Sequence, residues 1–528
     1  MKEQTSTSKH ETSIAILRVL TGGTALGLSF LPAPLWFLAW IALVPLLLIW
    51  ASNRSWVRFL AEVYTAFLIA YALGLFWPML HVFSQAATLA FGGLLLIPLL
   101  WTIPFAASRF FLRRYGRPVG FGSFVALFLS VEMLLLHGPI QFPWPVLGTT
   151  QADAVLLVQF VEYTGVLGLT LWVLLLNGLF FFATLKSRRR TPQILCGVAM
   201  VILFCASFAF STWRLNQLEQ DDHYITVGII QPAMDRSAWI DQRGANRLLR
   251  LTALSDSLVN AMNAPPVFMI WPEQAVPAPF NRVRQRFVDA QLQRWSERLE
   301  IALLSGALVP SGEPGRTDHF YNSAILYRPR TTPLRYDQVR YTPFQTRVPF
   351  SDYVPLSSVG AQPTFATGRG QDRLSFDNIK VGILLDFEIL LGHYARRHPA
   401  EGAEFLVGLS RQEHWGEDPV AFDHLRFARL RAMESRRSVV RVSANGQSAV
   451  IAPNGRALLK SPSGQTSARL AAVPLHTGTT VYSRYGDVIG WAAMVPAGMF
   501  FLFLMLGATW HAMKYTGAAL AWLEEEPA

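Results

Sequence analysis

The residue best placed for chemistry in this sequence is a glutamate that follows a short apolar stretch. Residues 267–271, with the sequence VFMIW, have the composition of a buried strand, and Pro272 and Glu273 come directly after them. In α/β folds, sites are built where strands end. Glu273 is therefore a candidate general base, with Trp271 beside it as a candidate substrate contact. The alternative is that Glu273 is a solvated surface residue.

A thiol nucleophile is missing from the polar part of the chain. The two cysteines, Cys196 and Cys205, both lie within one apolar stretch, and residues 212–528 contain none. Lysines are equally scarce, because Lys380 and Lys460 are the only two between residues 212 and 487. Nucleophilic catalysis that passes through an oxyanion usually needs an activated nucleophile and a fixed cation. Any such chemistry in this region would have to work without a cysteine.

The histidines and the positive charge do not form a recognisable binding pattern. His393, His398, His414 and His424 lack the ligand spacing of known metal sites, so we expect no metal and no cofactor. The formal net charge is +11, but no basic stretch alternates with the aromatic residues that base stacking needs. We therefore expect no nucleic-acid partner.

The arginines between residues 426 and 441 are expected to form mostly a solvated face.

The chain is too apolar for an ordinary soluble protein, since 52% of its 528 residues are hydrophobic and 15% are charged. A membrane-spanning helix needs about 20 mostly apolar residues. Such spans are predicted at about 14–30, 33–50, 57–77, 87–108, 119–137, 163–185, 194–211 and 488–509. Pro32 and Pro34 split the first two spans. Glu62 and Glu132 are exceptions among spans that otherwise hold few charged residues. A transport pathway would usually be lined with more charged residues, so a transport function has little support.

Positive charges beside the spans set the expected orientation, because Lys and Arg concentrate on the cytoplasmic side. The connections after spans two, four and six carry them, and those after spans one, three and five have none. The residues are Arg54, Arg58, Arg109, Arg113, Arg114, Arg117, Lys186, Arg188, Arg189 and Arg190. We therefore predict three parts. Residues 1–211 form a seven-helix bundle, residues 212–487 an extracytoplasmic domain, and residues 488–528 a last helix with a cytoplasmic tail.

Residues 212–487 alternate short β-rich runs with amphipathic helices, which is typical of a layered α/β fold. Strands are predicted at 224–231, 267–271, 302–309, 323–327, 381–385, 405–409, 439–442 and 449–451. Helices are predicted at 245–263, 282–299 and 422–436. This arrangement would bring Glu273 to the rim of a sheet.

Several short motifs occur together in an order that indicates a family. They are Phe142-Pro143-Trp144 with Gln151, residues 227–232, Trp271-Pro272-Glu273, Tyr321-Asn322-Ser323, residues 348–355, residues 427–434, and Tyr482, Arg484, Gly486 and Asp487. Through these motifs the soluble part resembles the carbon-nitrogen hydrolase (nitrilase) superfamily, and nearly the whole chain resembles bacterial apolipoprotein N-acyltransferases. The resemblance implies a polytopic α-helical membrane bundle that carries a nitrilase-like α/β domain, an αββα sandwich. It also implies that this domain lies on the outer face of the bacterial inner membrane.

The resemblance also implies a reaction and a set of residues. A cysteine takes an acyl chain from a phospholipid and passes it to the N-terminal amine of a diacylglyceryl-cysteine lipoprotein, assisted by a glutamate base and an oxyanion-stabilising lysine. Glu273 falls on the base position. Gln338, in the run YDQVR, falls on the lysine position, and Asp386, in the run GILLDFE, falls on the cysteine position. Glu388 and Trp415 fall on positions that orient or face the substrate.

Two of the three catalytic functions are therefore replaced. We expect a pseudoenzyme that keeps the family scaffold and binds phospholipid or lipoprotein, or that works with an active paralogue. The alternative is an acyltransferase or lipid hydrolase that uses Glu273 and Asp386. An acyl-aspartate would be an anhydride, which lies uphill from a phospholipid ester. A second ionised carboxylate close to Glu273 is also disfavoured.

Overall fold

The computed structural model describes residues 2–31, 34–77, 87–185, 190–218, 223–234, 245–261, 264–276, 282–312, 320–343, 365–370, 374–411 and 419–524. Its N-terminal helices are α1 (Lys2–Phe30), α2 (Val44–Trp50), α3 (Trp56–Gly74), α4 (Ala87–Tyr115), α5 (Arg117–His137), α6 (Val161–Thr184) and α7 (Thr191–Leu218). The last helix is α14 (Val488–Glu524). Within the described ranges, seven helices are long and apolar enough to cross a membrane, namely α1, α3 to α7 and α14. The prediction of a polytopic helical membrane region is confirmed.

The span predicted at 33–50 is not one continuous helix. A 3₁₀-helix at Trp36–Trp40 precedes the short α2. Side chains from other segments pair its backbone, since Gln151 donates to the Trp36 carbonyl (3.2 Å) and Asn177 to the Ala39 carbonyl (2.8 Å). Irregular backbone is tolerated at membrane depth where protein groups satisfy it. Hydropathy predicts the apolar run correctly but contains no information about which backbone groups are paired.

The two ends of the bundle carry different groups. At one end, Arg58 donates to the Thr12 hydroxyl near the start of α1 (3.1 Å). At the other end, Arg426 of the α/β domain donates to the carbonyl of Phe30, the last residue of α1 (3.0 Å). The α/β domain and the arginine near the start of α3 therefore lie at opposite ends of the bundle.

The soluble part contains two sheets, each with six strands among the described residues. The first has β1 (Tyr224–Gln231), β2 (Phe268–Ile270), β3 (Ala302–Pro310), β4 (Phe320–Arg328), β5 (Thr331–Asp337) and β12 (Ser467–Pro474), in the order β12-β1-β2-β3-β4-β5. The second has β6 (Leu374–Phe376), β7 (Ile379–Leu385), β8 (Phe405–Ser410), β9 (Ser438–Ser443), β10 (Ala449–Ile451) and β11 (Ala457–Lys460), in the order β11-β10-β9-β8-β7-β6. Strands β1 to β3 run parallel, as do β7 to β9. These parallel strands bring their carboxyl ends to one edge of each sheet.

The two sheets pack face to face through an apolar core that includes Ile270 and Ile383. Helices α8 (Ala245–Asn260) and α9 (Arg282–Leu299) pack on the first sheet. Helix α12 (Pro419–Ser435) packs on the second, and its apolar residues join the core of the membrane bundle. Three short helices, α10 (Gly392–Ala395), α11 (Arg397–Ala400) and α13 (Val481–Tyr485), complete the domain. The predicted αββα sandwich is confirmed.

The arginines between residues 426 and 441 are mostly buried, so the expected solvated face is wrong. Arg436 is 2% exposed, and its guanidinium donates to Glu162 Oε2 (2.8 Å) and Gln159 Oε1 (2.6 Å) at the start of α6. Arg214 of α7 donates to the same glutamate (2.8 Å). Helix α12, which ends one residue before Arg436, lies between a sheet and the bundle, so its residues from Asp423 onward are largely shielded from water. Its polar residues instead join the two parts of the protein.

We expect that Arg436→Ala destabilises the protein by about 3 kcal/mol, because removing one partner leaves Glu162 buried with less compensation. Thermal unfolding in detergent measures this as a fall in Tm of several degrees. The matched control is Arg298→Ala, whose ion pair with Asp256 is exposed and is expected to contribute less than about 1 kcal/mol. Equal effects of the two substitutions would contradict the role of Arg436 at the junction.

Candidate functional site

The candidate site lies at the carboxyl ends of the parallel strands. Glu273 follows β2, Asp386 follows β7 and Arg411 follows β8. Strand β4 runs antiparallel to β3, so Asn322 pairs with Leu308 near the end of β3. Strand β5 is antiparallel to β4 and delivers Gln338, its next residue, to the same edge. Residues that are far apart in sequence therefore meet at one edge of the two sheets.

A close approach between backbones holds the Glu273 turn against β3. A Cβ atom on Gly306 would lie 2.5 Å from the Cα of Glu273 and 2.6 Å from the carbonyl oxygen of Pro272. Only glycine leaves room for this contact. The amide of Gly306 donates to the Pro272 carbonyl (3.2 Å), which fixes the turn that carries Glu273.

One chain of hydrogen bonds joins the three positions that the sequence singled out. The amide nitrogen of Asn322 donates to Glu273 Oε1 (2.7 Å) and to Gln338 Oε1 (2.6 Å). The amide nitrogen of Gln338 donates to the carbonyl of Leu385 (3.0 Å), the residue before Asp386. Glu273, Gln338 and Asp386 are thus brought together as one site. Asn322 belongs to the Tyr321-Asn322-Ser323 motif, but a sequence motif does not show which side chains touch and so does not predict this bridge.

Gln338 is a connecting residue with no free hydrogen on its amide. Its nitrogen donates to the carbonyls of Leu385 and Arg340 (2.9 Å for the latter), and its oxygen accepts from Asn322. An amide carries no net charge, and its two hydrogens already have acceptors. It therefore cannot act as the fixed cation that stabilises an oxyanion.

Asp386 occupies a sharp turn between β7 and a 3₁₀-helix, Asp386–Leu390. Its φ angle is 44°, in the left-handed region that aspartate tolerates better than most residues. Strained turns of this kind are found where a strand presents a reactive side chain. The turn thus holds the Asp386 carboxylate in a strained backbone conformation at the end of a parallel strand.

Burial and the neighbouring positive charges shift the pKa of Asp386 in opposite directions. Burial raises the pKa of Asp386, while the cationic Arg411 and Arg441 lower it. Arg441 is 1% exposed and donates to the hydroxyl of Ser410 (3.3 Å), and Arg411 donates to Gln274 Oε1 (2.7 Å). Arg441 lies in the arginine series that the sequence pattern assigned to a solvated face. Its burial brings a positive charge to Asp386 instead.

Glu388 holds the Asp386 turn to the loop that carries Gln338. Its Oε1 accepts from the amides of Val339 (2.8 Å) and Arg340 (3.1 Å), and its Oε2 accepts from the amide of Leu385 (2.9 Å) and the hydroxyl of Tyr336 (2.9 Å). Burial raises the pKa of Glu388 to about 7, and these hydrogen bonds oppose that rise. The side chain is fully buried, so it orients the site and is not positioned to contact a substrate.

The other two predicted substrate contacts are placed differently. Trp271 is fully buried on the helix side of the first sheet, where its indole nitrogen donates to Ser255 of α8 (2.9 Å) and its ring packs on Trp295 of α9. It belongs to the core because alternate residues of a strand face opposite sides of the sheet. Trp415 lies outside the described residues.

The site also contacts the membrane bundle. Trp144, in the connection between α5 and α6, packs its ring against Phe387, the residue after Asp386, with 5.7 Å between ring centroids. Two further rings pack on Trp144, namely Phe142 at 4.9 Å and Trp77 at 6.4 Å. The motif Phe142-Pro143-Trp144 therefore connects the end of a membrane helix to the Asp386 turn.

These features define a class of protein, a helical membrane bundle that carries a carbon-nitrogen hydrolase fold with a glutamate at the edge of its sheets. Residues 22–179 match the apolipoprotein N-acyltransferase N-terminal domain, and residues 226–482 match the carbon-nitrogen hydrolase family. Relatives named apolipoprotein N-acyltransferase from Chlorobaculum tepidum and Geobacter metallireducens are each 26% identical, covering 91% and 92% of this chain and 94% of each relative. A mutant of the Nesterenkonia AN1 amidase, from the nitrilase superfamily, aligns at 16% identity and a TM-score of 0.36, covering 47% of this chain and 90% of that chain. The chain belongs to the apolipoprotein N-acyltransferase family.

Glu388→Gln is expected to loosen the site and to lower stability. Glutamine keeps only one acceptor oxygen, so two of the four donors would face an NH₂ group instead. Each donor left unpaired would lower the free energy of unfolding by about 1–3 kcal/mol. Thermal unfolding in detergent should show a fall in Tm of several degrees. Glu297→Gln, at an exposed position on α9, is the control and should leave Tm unchanged. A Tm for Glu388→Gln equal to that of the wild type would exclude the proposed role of this carboxylate.

Proposed function

We propose that this protein is a non-catalytic member of its family, which retains the scaffold and binds phospholipid or lipoprotein without transferring acyl chains. The observation that carries the proposal is the pair of substitutions at the family's cysteine and lysine positions, Asp386 and Gln338. Glu273, at the family's base position, is retained. A base alone cannot supply a nucleophile or stabilise the charge of a tetrahedral intermediate.

Neither substituted residue takes over the lost function by ordinary chemistry. A carboxylate that attacked a phospholipid ester would form an anhydride, which is less stable than the ester it came from. Burial raises the pKa of Asp386, which favours the uncharged and poorly nucleophilic carboxyl, and the positive charges of Arg411 and Arg441 only oppose that rise. Gln338 has both amide hydrogens bonded to backbone carbonyls. The site thus retains its geometry while lacking the groups that perform the reaction.

The membrane setting supports a lipid ligand. We place residues 1–211 in a membrane bundle, residues 212–487 in an extracytoplasmic domain, and residues 488–528 in a last helix with a cytoplasmic tail. The location would be the bacterial inner membrane. The arginines near the start of α3 would face the cytoplasm, because they lie at the opposite end of the bundle from the α/β domain. The site would then open beside the outer leaflet, where phospholipids and lipoproteins are available, and an active paralogue is a further candidate partner.

Trapping of a covalent acyl-enzyme tests the proposal. Purified wild-type protein, incubated in detergent with a phospholipid, is expected to show only its unmodified mass by intact-protein mass spectrometry. The double variant Asp386→Cys with Gln338→Lys returns a thiol and a cation to the family positions. It is expected to gain the mass of one acyl chain on a fraction of the molecules.

The matched control is Asp386→Cys with Gln338 unchanged, which has the thiol without the cation and should acylate at least tenfold more slowly. The triple variant that also carries Glu273→Ala should lose the base and fall to a similar rate. A covalent acyl mass on the wild-type protein would contradict the proposal and favour an active enzyme that uses Glu273 and Asp386.

A further inference from the structure

Four arginines gather at the end of the bundle that lies away from the α/β domain. Arg54 and Arg58 flank the start of α3, and Arg109 and Arg113 lie one turn apart near the end of α4. We call these four residues the α3 arginine cluster. Within the described ranges, Glu62 is the one carboxylate that forms an ion pair with them, to Arg54 (2.6 Å) and Arg58 (3.0 Å). Four guanidinium groups and one carboxylate leave a formal excess of three positive charges.

Arg109 and Arg113 are close together and have no carboxylate between them. Both donate to the carbonyl oxygen of Arg54, at 2.9 and 3.1 Å, so their donor nitrogens are at most about 6 Å apart. Both guanidinium groups also lie over the ring of Trp56, at 5.1 and 5.4 Å from its centroid. Like charges four residues apart on a helix repel each other. An anion bound by both arginines would offset this repulsion.

Arg109 also has hydrogen-bond donors that the chain does not use. The residue is fully buried, and its Nε and Nη1 atoms have no acceptor among the residues that the structure describes. Glu62 acts on Arg109 only at longer range, without an ion pair, and its own Oε2 has no donor in the same part of the chain. Buried polar groups are usually paired, and buried charges above all. Unused donors beside a surplus of positive charge indicate an anion that is not part of the chain.

The surroundings of the cluster indicate which anion fits. Arg113 is exposed, so a ligand can reach it from outside the protein. Trp56 and Val57 are 40% and 80% exposed beside it, which is typical of residues at a membrane surface. Arginine binds phosphate through two parallel N–H groups, and basic pockets between membrane helices bind anionic head groups.

We propose that Arg109 and Arg113 form a phosphate-binding site at this end of the bundle. The phosphate belongs to the head group of an anionic phospholipid or is free inorganic phosphate. The site lies at the opposite end of the bundle from the α/β domain that carries Glu273 and Asp386, so it does not depend on the proposed function.

Native mass spectrometry of the purified full-length protein in detergent tests the lipid source. Phosphatidylglycerol and phosphatidylcholine with the same acyl chains are compared, because the first has a net negative charge and the second has none. The wild type should bind phosphatidylglycerol at least about fivefold more tightly, since one basic residue near an anionic surface contributes about that factor. This comparison does not depend on the folding of any variant.

Arg113→Gln removes the exposed charge of the site. It should bind phosphatidylglycerol about fivefold more weakly than the wild type and phosphatidylcholine equally well. Arg114→Gln is the matched control, because it removes the same charge from the next exposed residue. The described contacts of Arg114 are with Tyr115, to whose hydroxyl it donates (3.3 Å). This control should keep the wild-type preference.

Inorganic phosphate, added to the protein in a phosphate-free buffer, tests the other source. If free phosphate is the ligand, it should raise the Tm of the wild type and of Arg114→Gln but not that of Arg113→Gln, and the two lipids should bind equally. The inference is overturned if the wild type neither prefers phosphatidylglycerol nor is stabilised by phosphate. It is also overturned if Arg113→Gln and Arg114→Gln have equal effects, because the charge would then act without a site. Acyl transfer by the wild type would reject the proposed function and leave this inference unchanged.

Discussion

The buried carboxylate of Glu388 is the constraint on which the geometry of the site depends. Its two oxygens accept four hydrogen bonds, from the backbone before Asp386, from the loop after Gln338 and from Tyr336. Those groups belong to different sheets, so one side chain fixes the separation of the two sheets where they meet the site. Glu388 is costly to replace because both of its carboxylate oxygens accept hydrogen bonds. Each hydrogen bond that is lost leaves a buried donor without a partner.

The second sheet is in turn fixed to the membrane bundle. Arg431 of α12 donates to the Leu390 carbonyl at the end of the Asp386 turn (3.1 Å), and Arg436 binds Glu162 at the start of α6. Trp144 reaches Phe387 from the membrane side. The site therefore has its position set by helices in the membrane as well as by the sheets. This arrangement fits the proposal that the ligand of the site enters from the bilayer.

Much of the fold could be predicted from patterns that reflect local physical chemistry. The strand at Tyr224–Gln231 and the helix at Arg282–Leu299 have the predicted bounds, because their apolar periodicity is regular. Strand β12 was missed because its residues, SARLAAVP, alternate small and polar side chains with few β-branched ones. The 3₁₀-helix at Trp36–Trp40 was missed because the side chains that pair its backbone come from distant segments.

The site was predictable only in part, for the same reason. Glu273 could be identified from its place after an apolar strand, and Gln338 and Asp386 from the family resemblance. The bridge through Asn322, the burial of Arg441 and the burial of Trp271 depend on which face of each strand turns inward. That choice is made by the packing of layers, which no short stretch of sequence specifies.

The most direct test of the central claim is turnover. Wild-type protein in detergent, given a phospholipid and a diacylated lipopeptide, is assayed by mass spectrometry for N-acylated peptide and for released fatty acid, beside Glu273→Ala and Asp386→Ala. The account predicts neither product above the level of the two variants, while lipid remains bound to the wild type. Product formation by the wild type that Asp386→Ala abolishes would contradict it, and would show that a carboxylate has replaced the thiol.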